Sequence, residues 1–184
     1  LTKPKNRLVA PGVWNKDKKE IDPFPRYEKH AFQAKDGSAP AKLNDWEVKV
    51  VETEMGRHGF EAWYRNPSRP NPDAVTAVYY DEATGRWRSV QPDFVFFLRD
   101  SEGHMRASIV DPHGAYLGDA LGKLRGLARY AEQYGEQFVR IESVSGSNTE
   151  SLKVLDLKSE VVRAAVAEAV SAEAVYEKYG YDYR

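Results

Sequence analysis

Two acidic residues, eighteen positions apart, stand at the edges of apolar, β-branched or aromatic runs. Asp93 lies in Pro92-Asp93-Phe94-Val95-Phe96-Phe97, and Asp111 in Ile109-Val110-Asp111-Pro112-His113-Gly114. Such runs read as buried strands. Between them, Arg99-Asp100-Ser101-Glu102-Gly103-His104 has the polar, Gly-containing composition of a hairpin turn. A hairpin closed there sets the two carboxylates side by side. They repel unless a cation lies between them, and an all-oxygen pair suits a hard ion such as Mg²⁺ or Mn²⁺. His113, two residues past Asp111, points to the same side of the strand. Its imidazole can serve as a general base near neutral pH or, when protonated, stabilise negative charge.

The elements that must hold these residues alternate in type. Asn44 or Asp45 caps a helix over Trp46 to about Met55, with Gly56 and Gly59 at its end. Trp46, Val50 and Met55 lie near one face of it, and Glu47 and Glu54, seven apart, share another. Tyr27 to Phe32 and the segment after Asp36-Gly37 form a small hairpin. Strands follow over Phe60 to Tyr64, Ala74 to Tyr80, Trp87 to Val90, Phe94 to Leu98 and Met105 to Val110, with a proline-rich loop from Asn66-Pro67 through Pro72. After Gly114 the period changes: Leu117, Leu121, Leu124, Leu127, Ala128 and Ala131 mark an amphipathic helix through Tyr134. Strands over Phe138 to Val144 and Leu152 to Leu157 come next. A last helix, capped by Ser159, runs from Glu160 to about Tyr179. The pattern predicts an α/β fold, a mixed sheet flanked by helices.

With 184 residues, 41% apolar and 30% charged, the chain can bury one core. Residues 1–25, rich in proline and lysine, read as an extended lead-in, and 26–184 as the domain. A formal net charge of −1 lacks the basic signature of most nucleic-acid binders. The absence of cysteine excludes disulfides and thiolate zinc sites and fits a reducing cytoplasm. No apolar run reaches the ~20 residues that span a bilayer, so no membrane association is expected. A first residue other than methionine suggests a piece of a longer protein or a processed product. His30, His58 and His104 lack zinc-site spacing. There is no Gly-rich phosphate loop. Asp156-Leu157-Lys158, a second acid-X-lysine string, reads as a strand-to-helix junction.

The order of strand with Pro-Asp, turn, and strand with acid-X-base resembles the core of the PD-(D/E)XK nucleases, with His113 where that family has lysine. Asn44-Asp45-Trp46-Glu47, Trp63-Tyr64-Arg65-Asn66-Pro67, Pro92-Asp93-Phe94 and Asp111-Pro112-His113-Gly114 together resemble the C-terminal nuclease-like region of helicases related to the Res subunit of type III restriction enzymes. The likeness runs from about Tyr27 to Leu157. It implies a restriction-endonuclease-like fold and Mg²⁺- or Mn²⁺-dependent cleavage of DNA, beside an attached helicase or ATPase. By position, Asp93 and Asp111 are metal ligands with the Pro112 carbonyl, Glu47 is the helix acid, with Glu54 as the alternative, and His113 stands in the lysine position. Arg65, Arg69, Lys123, Arg125 and Arg129 are the candidate phosphate contacts. The histidine leaves a second reading open, a nuclease fold that has lost cleavage and serves as a DNA-binding or protein-interaction module.

Overall fold

A computed structural model describes residues 11–67, 74–81 and 84–184. Its frame is a six-stranded mixed sheet in the order β12-β11-β10-β9-β8-β5, and its elements follow the alternation of the sequence. Two short antiparallel pairs precede the frame: β1 (Gly12–Asn15) with β2 (Glu20–Pro23), and β3 (Arg26–Glu28) with β4 (Ser38–Pro40). The lead-in expected to be extended thus contains a β-hairpin, because Val13, Trp14 and Ile21 can pair across a turn.

Helix α1 (Asp45–Met55) starts on a capping box in which Asn44 and Glu47 satisfy each other's backbone amides. The chain then forms β5 (Phe60–Arg65), an inserted hairpin of β6 (Ala77–Asp81) and β7 (Arg86–Val90), and the antiparallel pair β8 (Phe94–Arg99) and β9 (Met105–Pro112). Gly103, with φ +86°, makes the tight turn between the last two. Helix α2 (Ala120–Tyr134) crosses over the sheet to β10 (Ile141–Gly146), which runs parallel to β9. β11 (Leu152–Asp156), helices α3 (Glu160–Glu168) and α4 (Ala172–Tyr179), and β12 (Tyr181–Asp182) complete the order.

Several boundaries differ from the sequence reading, among them that the strand expected from Ala74 begins at Ala77. Leu117 precedes α2 and is exposed. The strand expected from Phe138 begins at Ile141, after a 3-10 turn over Gly135–Gln137. The single last helix is two, because Ala169 turns extended and Ser171 caps a new start.

Strand alternation sends side chains to two cores. Ile109, Ile141 and Leu155 meet α2, α3 and α4 on one face. Phe94, Phe96, Val110, Val144 and Val154 meet α1 on the other. Asp111, two residues beyond Ile109, therefore faces the α2 side. The β6–β7 hairpin leans on α2 as well: Tyr79 lies against Gly126, where an added Cβ would be 3.1 Å from its ring. Among the described residues no helix is long and apolar enough to cross a membrane.

Candidate active site

The hairpin of β8 and β9 brings the two acids together as expected. The Asp93 backbone N–H donates to Asp111 Oδ1 at 2.8 Å. Asp111 is 0% exposed, and its own carbonyl accepts from Ser143 on β10, whose hydroxyl in turn accepts from Tyr176 of α4.

The cation beside these acids is Lys123, not His113. Lys123, on the second turn of α2, places Nζ 2.8 Å from Asp111 Oδ1 and 3.7 Å from Asp93 Oδ1. Burial pushes the Asp111 pKa up and the Asp93 charge adds to this, while the ammonium pulls it back, leaving it above the usual carboxylate value. For Lys123, burial alone would lower the pKa, but the Asp111 and Asp93 charges outweigh it and raise it. His113 turns its Nε2 to Asp119 Oδ1, 3.2 Å away. It lies just past the end of β9, where the strand alternation that would align it with Asp111 no longer governs it. The contact with the acids is therefore made by Lys123, while His113 contacts Asp119.

Arg65 Nη2 bonds Glu47 Oε1 at 2.6 Å, and Arg65 Nη1 bonds Asp93 Oδ1 at 3.2 Å, with the guanidinium over the Phe94 ring. Glu47 thus reaches the acid pair only through Arg65, from the α1 side of the sheet. Glu54 is not near the pair at all. It is 0% exposed and accepts from Arg57, Arg140 and Tyr183. Burial pushes its pKa up, and these bonds more than reverse that, leaving it low.

The expected phosphate contacts are largely engaged elsewhere. Lys123 and Arg65 serve the acids. Arg125 donates to the carbonyls of Val166, Ala167 and Ala169 at the end of α3, satisfying acceptors a helix terminus leaves open. Arg129 pairs with Glu132 on its own helix at 2.9 Å. Arg69 lies outside the described residues.

Sequence reasoning missed Asn66. Buried at the end of β5, its amide donates to the carbonyls of Val75 and Pro92, and its side-chain oxygen accepts from the Val75 N–H. Its backbone N–H donates to the Asp93 carbonyl at 2.9 Å. It therefore fixes the turn that carries Asp93.

Two observations bear on a hard divalent cation. Among the described residues no three His, Cys, Asp or Glu side chains form a metal-holding group, so any ion would rest on the two acids and backbone or solvent oxygen. Among the described residues Asp111 Oδ2 is buried without a hydrogen-bond partner, an orphaned acceptor of the kind a cation satisfies. The connected charges, Glu47, Asp93 and Asp111 against Arg65 and Lys123, sum to −1, which attracts a cation and repels a phosphodiester. On these grounds the donor set fits. Beside it opens a groove of about 410 Å³ lined by Asp45, Trp46, Asp93, Pro112, His113 and Tyr116 among others.

A family model described as the YagJ family matches residues 28–184. Protein YagJ of Escherichia coli (strain K12) is 40% identical over 176 residues, covering 96% of this chain and 70% of that protein. No solved structure matches.

Proposed function

The chain belongs to the YagJ family, and we propose that its Asp93–Asp111–Lys123 cluster is the site of a Mg²⁺- or Mn²⁺-dependent DNA phosphodiesterase of restriction-endonuclease-like fold. The observation that carries this reading is the Lys123 ammonium, 2.8 Å from Asp111, on the helix that follows β9. It supplies from α2 the charge that the acid-X-lysine pattern would take from the strand. A buried ion pair is weak evidence for stability, whereas perturbed carboxylates at a cleft are where acid–base and metal chemistry gathers.

Asp93 and Asp111 would hold the ion, with the Pro112 carbonyl beside them. When bound, such an ion polarises the scissile phosphate and acidifies a water. Lys123 stabilises charge developing on the phosphoryl oxygens. Asn66 and the Arg65 bridge to Glu47 keep Asp93 in place. His113, held by Asp119, is positioned to move a proton at its imidazole in the groove. A cytoplasmic setting belongs to the same proposal. An attached helicase or ATPase domain in the same longer chain rests on the resemblance alone.

The test is cleavage of linear and circular duplex and of single-stranded DNA with Mg²⁺ or Mn²⁺. Wild type and Asp156→Ala should cut. Asp111→Ala and Lys123→Met should lose at least ~100-fold, the scale of one charge-stabilising group. A wild type that cuts nothing with any divalent metal at high protein concentration refutes the proposal.

A further inference from the structure

The groove beside Asp93 has a chemistry that the hydrolytic residues do not use. Tyr116 is 71% exposed yet seated: its ring lies against Gly114, where an added Cβ would be 3.0 Å from Cε1 and Cζ. Trp46, half-buried against the α1-side core, lines the same groove, and exposed Leu117 extends its apolar lining. The polar lining includes the carboxylates of Asp45 and Asp93, which accept hydrogen bonds and donate none when ionised. Among the described residues His113 is the lining's one potential cation, and it is turned to Asp119.

An anion in this groove meets like charges. An aliphatic chain offers no donor to the Asp45 carboxylate. A planar ring with amino groups on its edge satisfies both the aromatic lining and the acceptors. We infer that the groove beside Asp93, lined by Trp46, Tyr116 and Asp45, receives an unpaired nucleobase bearing an exocyclic amino group. Resting on the hydrolytic reading above, this makes the substrate a single-stranded or splayed nucleic acid whose base enters next to the scissile phosphate. A base inside a duplex cannot offer its Watson–Crick edge to Asp45 while paired, so intact duplex is excluded from the groove.

The test is fluorescence anisotropy of labelled oligo(dC) and oligo(dT) hexamers and of a duplex of equal length, with the full chain at low salt and with Ca²⁺, an oxygen-seeking cation that offsets the charge of the acid cluster. Oligo(dC) should bind about tenfold tighter than duplex or oligo(dT), since thymine lacks the exocyclic amine. Tyr116→Ala should weaken oligo(dC) binding about tenfold, in keeping with the loss of one base-stacking contact. Asp45→Asn should erase the preference for oligo(dC) over oligo(dT). Equal binding of single strand and duplex, or a Tyr116→Ala variant that binds as wild type, overturns the inference. Wild type that binds as expected but cuts nothing refutes hydrolysis and leaves the groove assigned. Wild type that cuts DNA while Tyr116→Ala leaves binding unchanged does the reverse.

Discussion

Replacing Lys123 with methionine keeps side-chain length and helix propensity and removes the ammonium from between Asp111 and Asp93. The Asp111 carboxylate, fully buried, then keeps the Asp93 N–H, 2.8 Å away, as its side-chain donor. Breaking a buried pair in this way costs ~3–5 kcal/mol. The cost has a ceiling, because the carboxyl can take up a proton instead of remaining charged. At pH 7 that uptake costs ~4 kcal/mol for a group with an ordinary pKa near 3.9, at ~1.4 kcal/mol per pH unit. The expected penalty at pH 7 is therefore ~3–4 kcal/mol.

Burial already holds the Asp111 pKa high despite Lys123, and losing the ammonium lets it rise further. A carboxyl whose folded pKa is raised keeps its proton where the unfolded chain has released it. The variant thus loses stability as pH rises from about 4 toward the folded pKa. Near pH 4.5 the penalty should shrink below ~1 kcal/mol. Urea unfolding of both proteins at several pH values between these limits measures it. A penalty that does not change with pH, or one under ~1 kcal/mol at pH 7, refutes the buried ion pair.

Glu54→Ala leaves Arg140 with Glu142, 2.8 Å away, and removes the acceptor of the Tyr183 hydroxyl. A loss of ~3 kcal/mol is expected, or roughly 6–12 °C in Tm for a chain of this size. A calorimetric drop under about 2 °C would contradict the network. His30 is buried among Phe32, Trp63 and Tyr64, and burial lowers its pKa to about 4. The unfolded chain binds the proton first, so stability is lost as pH falls from about 6.5 to 4, by ~3 kcal/mol in all. His30→Gln should remove that slope, and urea midpoints at both ends of the window test it.

The hairpin between Asp93 and Asp111 was legible because two apolar runs around a Gly-containing turn admit few other arrangements. Caps at Asn44 and Ser159 were legible for the same local reason. The place of Lys123 beside the acids, as distinct from a phosphate contact, was not, though a signal was present. The residue lies three residues after Ala120 and four before Leu127, both buried, on the apolar stripe of α2, where a lysine needs an acid partner. Glu47, Val50, Val51 and Glu54 likewise share one helical stripe, and all four are buried. Reading the two glutamates as a face of their own missed that they point inward. What lies outside local pattern is tertiary choice. Nothing near Arg125 announces that α3 will end against it, and Asn66 gains its role only because Val75 and Pro92 return to it.

The link between Glu54 and Tyr183 ties α1 to a residue 129 positions later, at 2.7 Å. During synthesis at ~5–20 residues per second, helix α1 waits roughly 6–26 s after it emerges before that hydroxyl exists. Until β5, β8 and β9 emerge to cover them, Val50 and Val51 present an apolar stripe, the kind of surface that chaperones hold.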